Sequence, residues 1–377
     1  MNDERREALK FSDDIDINLK TMRNSIDIDK KRREDPFGSF KFSGYLEEDL
    51  TNNLRKQLNE ITKRQYSATQ LETYAKCPYK FFLENILRIQ TIEEPLEELE
   101  AFEFGSLIHS ILFEFYATLK KRGIILKNCS DDKFEKAESI LFDIASKKFD
   151  DLSLSSDLAF FEREKLLGID GKKKNSILYK FLQEERSNKE GYIPSFFELG
   201  FGDIKKDKIL QIPQKKEIKI GEISLRGKID RIDINESNNT LKVVDYKLGG
   251  TSPTIEDLKT GLSLQLPLYL LAAKELISAH FNDEFIPAGA EIFSLKYSEK
   301  DFGIKSISLK RKGKNESLDV QIQNAEEMIK ICIEMINNYV GDISQGKFNL
   351  SLLNDRESKI CRFCDFKKVC RIQDVIS

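Results

Sequence analysis

The stretch GKIDRIDINESNNTLKVVDYKLGG, residues 227–250, constrains this chain more than any other. Two alternating segments flank NESNNT, a cluster rich in turn formers, and the pattern predicts an antiparallel hairpin. Centred between Ser237 and Asn238, the hairpin pairs Ile234 with Leu241 and Ile232 with Val243 on an apolar face. On the other face Asp233 meets Lys242, opposite charges across the strands. The same register sets Asp230 opposite Asp245. Opposed side chains have Cβ atoms roughly 5 Å apart, so two carboxylates there repel each other, and burial adds to the cost. A divalent cation between them removes the conflict, since Mg²⁺ takes carboxylates together with water. Strand alternation aims Lys247 at the same place. Two acids and a lysine converging on one point can bind a phosphodiester and activate water. The plain alternative is a surface hairpin with two unrelated aspartates.

The surrounding pattern frames the hairpin. SATQLETYAKCPYKFFLENIL, from Ser67, reads as a helix that Ser67 or Thr69 can cap. EFGSLIHSILFEFYATLKK (103–121) is amphipathic, and residues 130–190 read as further, peripheral helices. From about 195 the period changes to two, so SFFELGFG and EIKIGEISLRG read as strands leading into the hairpin. A helix over 263–279, a strand pair near 288–297 and 303–310, and a long helix over 318–340 follow. Residues 1–66 are charge-rich and weakly patterned, a lead-in of loop and short helices. No internal repeat is present.

Composition sets outer limits. The 377 residues hold 61 basic and 64 acidic side chains for a net charge of −3, so partners follow from local patches rather than the total. Basic runs occur at 206–220, 309–314 and in the last segment, each of which also reads as an ordinary solvated face. No apolar run approaches the roughly 18–20 residues of a membrane span, and MNDERREALKFSDD lacks the layout of a secretory signal. Six unevenly placed cysteines suit a reduced, cytoplasmic protein with a metal site better than a disulfide scaffold. Three of them, Cys361, Cys364 and Cys370 in SKICRFCDFKKVCRIQ, look like most of such a site.

GKIDRID, then VVDYK, then QLPLY resembles the PD-(D/E)XK nuclease superfamily, and more narrowly the RecB/AddB-type exonuclease domain. The resemblance runs from about Ser67 to Arg371. It implies an α/β restriction-endonuclease-like core: a central mixed sheet flanked by helices, with a helical insertion over 130–190 in a nuclease domain spanning 67–377. It implies that Asp230 and Asp245 ligate Mg²⁺ or Mn²⁺ and that Lys247 is the catalytic lysine. Gln265 and Tyr269 match its glutamine-then-tyrosine motif, on one helical face at i, i+4, with Pro267 tolerated near the helix start. His109, one of only two histidines, falls where the family carries a metal-ligand histidine, although a histidine on an apolar helix also reads as a core residue. Glu198 falls on the preceding strand, either bordering the site or supporting it. His280 has no such context.

The resemblance also implies a fourth thiolate, Cys77 in YAKCPYKFF, joining the C-x2-C-x5-C of Cys361, Cys364 and Cys370 around an iron–sulfur cluster, expected to be 4Fe-4S. Four thiolates would equally suit zinc, although zinc ribbons usually pair two C-x-x-C knuckles. Lys359, Arg362, Lys367, Lys368 and Arg371 around them face either DNA phosphates or plain solvent. Cys332 reads as a buried apolar thiol and Cys129 as a loop residue without evident partner. The family implies hydrolysis of DNA phosphodiesters. No G-x-x-x-x-G-K-[ST] loop is present, so unwinding is expected from a helicase partner, this chain standing alone or forming the C-terminal piece of a larger protein. The competing readings are a nuclease of CRISPR adaptation or of a mobile element, and a DNA-binding scaffold with a relic site.

Overall fold

Arg231 pairs with Val244, Ile232 with Val243, Asp233 with Lys242, Ile234 with Leu241 and Asn235 with Thr240, the register expected of the hairpin. The computed structural model describes residues 3–36, 43–46, 50–90, 98–151, 157–202, 217–249, 252–298, 300–309 and 316–373. The basic stretches 206–216 and 310–314 lie outside them. The chain divides into two compact units, residues 65–69 with 92–336, and residues 1–64, 70–91 and 337–377. Among the described residues no helix is long and apolar enough to cross a membrane.

The hairpin lies in the first of these units. Its strands are β1 (Gln65–Tyr66), β2 (Ile193–Phe201), β3 (Ile218–Ile220), β4 (Ile223–Leu225), β5 (Gly227–Asn235), β6 (Thr240–Lys247), β7 (Ile286–Ser294) and β8 (Gly303–Ile307). A five-stranded sheet runs in the order β2-β5-β6-β7-β8, and a small sheet in the order β1-β4-β3. The larger sheet is mixed: β6 and β7 are parallel, and the other neighbours are antiparallel. Parallel neighbours need a crossover, supplied here by the helix Gln265–Phe281, which packs on β5, β6 and β7. Pro267 lies in its first turn, where Leu268 N–H already donates to Leu264 O. This α/β core, with its mixed sheet and flanking helices, is the architecture expected from the motifs.

The helices Glu98–Lys121, Asp131–Asp150 and Ile177–Ser187 cover the other face. Ile111, Phe115, Leu141, Phe181, Val244, Tyr246 and Phe293 share one core there. Cys129 belongs to that core too, buried rather than placed in an open polar loop. Both faces of the hairpin are therefore covered, and its polar members are buried with the apolar ones. Asp233 and Lys242 stand opposite as expected but take other partners. Asp233 holds Arg231, and Lys242 pairs with Glu291 at 2.9 Å and with Glu190.

The other unit opens with the helix Asp3–Glu34, 32 residues long where short helices were expected. The helix expected from Ser67 onward is broken. It runs over Ala68–Lys76, stops at Cys77, and resumes as Pro78–Phe81 and the π-helical turn Phe82–Ile86. Pro78 forces the break, because the residue before a proline avoids helical backbone. Cys77 is extended, with φ −158°, and its Sγ caps the new helix at Lys80 N. Residues 344–352 are fixed to this segment, with Tyr74 Oη donating to Lys347 O at 2.7 Å and Ser351 Oγ to Lys76 O at 2.6 Å.

Candidate active site

Three strands and two helices bring their functional side chains to one end of the large sheet. β5 contributes Asp230, β6 Asp245 and Lys247, and β2 Glu198; the helix Glu98–Lys121 contributes His109 and the helix Gln265–Phe281 Gln265 and Tyr269. Past Arg231 and Val244 the hairpin stops pairing main chain to main chain. Instead Tyr246 N–H donates to Asp230 Oδ2 at 3.0 Å. Asp230 Oδ1 faces His109 Nδ1 at 3.4 Å, and Glu198 Oε1 faces the same nitrogen at 3.2 Å. Glu198 has φ 50°, a left-handed conformation uncommon for a side chain of its kind. Gly227 allows close approach: a Cβ there would lie 2.7 Å from Phe201 and 3.1 Å from Tyr269.

Ligand atoms of His109, Glu198 and Asp230 all lie within 4.8 Å of one another, the one such group among the described residues. Glu198, expected at the border or in support, is thus in the tightest set, and Asp245 stands beside it. Gln265 Nε2 donates to Asp245 Oδ1 at 2.8 Å. Lys247 Nζ lies 2.9 Å from Asp245 Oδ2 but off line, so the contact is an ion pair and the buried Oδ2 accepts no directed hydrogen bond. Tyr269 is bonded to Gln265 one turn before it. His280 lies apart at the far end of that helix, edge-on to Phe196 at 5.5 Å.

Charge is concentrated here. Burial, then the charge of Asp230, pushes the Asp245 carboxyl up to about 6 against the pull of Lys247 and His109. Burial opposes a charged imidazole, but bonds to Asp230 and Glu198 outweigh it and push His109 up to about 10. Burial acts on Glu198 as well, yet His109 and Lys228 hold its carboxyl below the usual range. Three buried carboxylates, an imidazole and one unsatisfied carboxylate oxygen are a donor set for a hard divalent cation.

The sequence reading missed what lies directly behind this site. Arg231, fully buried, grips Asp233 with two nitrogens at 2.5 and 2.6 Å. Its Nη1 also donates to Glu185 Oε1 at 2.8 Å, Tyr116 Oη at 3.1 Å and Tyr246 Oη at 3.3 Å. Tyr116 in turn donates to Glu185 Oε2 at 2.7 Å and stacks on Phe197 at 4.4 Å. A lone arginine within an otherwise apolar strand segment was the available signal. The missed Lys228 pairs with Glu198 Oε2.

In the other unit Cys77, Cys361, Cys364 and Cys370 line one cavity of about 20 Å³, with Tyr79, Ile360 and Ile372 among its walls. Burial, and then the neighbouring thiols, pushes Cys77 up to about 12 and Cys370 up to about 11. Of the cations around them, Lys359 pairs with Asp355 at 3.3 Å, Lys367 with Glu357 at 3.7 Å and Arg371 with Asp29 at 3.6 Å. Arg362 lies over the Phe363 ring at 5.3 Å, and Lys368 is exposed.

A mixed sheet whose central hairpin presents Asp230, Asp245 and Lys247 is the signature of one nuclease class. Residues 65–371 match the PD-(D/E)XK nuclease superfamily, and the chain belongs to it. Its curated relatives are narrower in kind, all three being the B-type component of an ATP-dependent helicase/deoxyribonuclease. The chain is 25% identical over 364 residues to that of Carboxydothermus hydrogenoformans, covering 83% of this chain and 32% of that protein. The counterpart from Clostridium kluyveri is 23% identical over 409 residues (92% and 33%), and that from Moorella thermoacetica 30% over 240 residues (61% and 19%). The chain therefore spans about a third of the length of the first two.

Proposed function

We propose that this chain is a metal-dependent deoxyribonuclease, an exonuclease working with a helicase partner in double-strand-break processing. The observation that carries the reading is the convergence of His109, Glu198, Asp230, Asp245 and Lys247 at one end of the sheet. His109, Glu198, Asp230 and Asp245 would hold Mg²⁺ or Mn²⁺, and the orphaned Asp245 Oδ2 is an oxygen in want of a cation. Such a cation, when bound, polarises the scissile phosphate and acidifies its water. Gln265 fixes the rotamer of Asp245 through its amide. Lys247, 45% exposed, reaches from solvent to Asp245 and offsets negative charge as it gathers on the phosphate. The helicase partner is inferred from the relatives, whose names join the two activities. Purified protein with Mg²⁺ on 5′- and 3′-labelled single- and double-stranded DNA tests the reading. Cleavage that survives Asp245→Ala would place the site elsewhere.

The four cysteines we assign to an iron–sulfur cluster with a structural role, binding the segment after Ala68 to the segment after Asn349. An all-thiolate donor set suits it. Zinc, with bonds of about 2.3 Å, draws four sulfurs close together, and these sulfurs form no group within 4.8 Å. Iron analysis and absorbance near 400 nm decide between the two metals.

A further inference from the structure

β5 brings a second lysine to the site. Lys228 precedes Asp230 by two residues, as Lys247 follows Asp245 by two. Continuing the hairpin register sets the lysines across from each other, just as it sets the aspartates. Each reaches from solvent to a buried carboxylate. Lys247 is 45% exposed and pairs with Asp245 at 3%. Lys228 is 43% exposed and pairs with Glu198 at 13%. The other oxygen of that Glu198 carboxylate faces His109 Nδ1.

We propose that Lys228 is a second phosphate-binding, catalytic lysine of this site. The proposal rests on the nuclease reading and adds a residue to it. The Lys228 ammonium neutralises Glu198 when no divalent cation is bound. A cation held by His109, Glu198 and Asp230 takes over that neutralisation and lowers the attraction of Glu198 for the lysine. A lysine is a compact charge on a flexible stem, and this one has solvent to swing through. The negative group that then arrives is the DNA backbone, and a non-bridging phosphate oxygen is the partner the ammonium turns to. Lys228 and Lys247 would clamp the substrate from the two strands of one hairpin.

The competing role is support, with Lys228 only holding Glu198 in place for the cation. Lys228→Gln and Lys228→Arg in the full chain separate the two. The readouts are cleavage at saturating Mn²⁺, Mn²⁺ binding without DNA by electron paramagnetic resonance, and the salt dependence of single-strand binding. For Lys228→Gln we expect cleavage roughly 10–100-fold slower even at saturating Mn²⁺. Mn²⁺ binding stays equal or tightens, because a competitor for Glu198 is gone. The log–log salt slope falls by about 0.7, the loss of one phosphate contact. Lys228→Arg restores most of the rate. A Lys228→Gln protein whose rate returns to wild type at saturating Mn²⁺ while Mn²⁺ binding weakens overturns the proposal. Wild-type protein that never cleaves sinks the nuclease reading instead. The salt slope then still decides whether Lys228 touches phosphate: a drop upholds the contact, and no change rejects it.

Discussion

The main-chain N–H of Tyr246 donates to Asp230 Oδ2 at 3.0 Å, at the point where the ladder between β5 and β6 ends. The Tyr246 hydroxyl accepts from Arg231, the residue next to Asp230. One tyrosine is thus bonded to two successive residues of the facing strand, once by backbone and once by side chain. That double attachment sets the position of Asp230, and with it the separation of the two aspartates.

Arg231 is therefore expected to be worth more to the fold than any other charge. Arg231→Met leaves Asp233 and Glu185 buried without their cation, and removing one member of a buried pair costs about 3–5 kcal/mol. Urea unfolding measures the loss. Arg231→Lys does not rescue it, because an ammonium lacks the two-pronged grip on Asp233.

Asp245→Asn separates stability from activity. The substitution removes a buried charge that Asp230 repels, so the thermal midpoint without divalent cation is expected to hold or rise. Cleavage is expected to fall by about 100-fold or more, the effect of losing a group that acts on the transition state. A variant that loses both stability and cleavage would mean that Asp245 is a structural residue.

His109→Ala and Tyr116→Phe, both on the helix Glu98–Lys121, are expected to fail in opposite ways. Without the imidazole the half-saturating Mn²⁺ concentration rises about tenfold or more, with little change in unfolding. Without the phenol the buried Glu185 Oε2 loses its donor, costing about 1–3 kcal/mol, while the Mn²⁺ requirement stays put. Metal titration of cleavage and chemical unfolding, run on both proteins, give the comparison.

Cys77→Ala is expected to abolish absorbance near 400 nm and the bound iron, and to loosen the segments it joins. Limited proteolysis reads the loosening. Colourless wild-type protein that carries zinc would reject the iron–sulfur assignment.

What the sequence disclosed here was local. The hairpin register follows from a period of two and a turn cluster, and it alone placed Asp230, Asp245 and Lys247 together. Gln265 and Tyr269 needed only the helical repeat. Arg231 was out of reach, because its partners Glu185 and Tyr116 lie 46 and 115 residues away and meet it only once helices cover the sheet. The same covering explains Asp233 and Lys242. Read as an exposed cross-strand pair, they are instead buried and drawn to separate partners. The break at Cys77 was legible in Pro78, but the continuous apolar pattern across it argued for one helix.

His109 and Tyr116 lie seven residues apart, on one stripe of the helix Glu98–Lys121. One serves the candidate cation site and the other the arginine cluster behind it. A slide of that rod by a single turn would withdraw both at once. Loss of competence would then come as a click rather than a fade, and whatever grips this helix would hold the on–off control of the site.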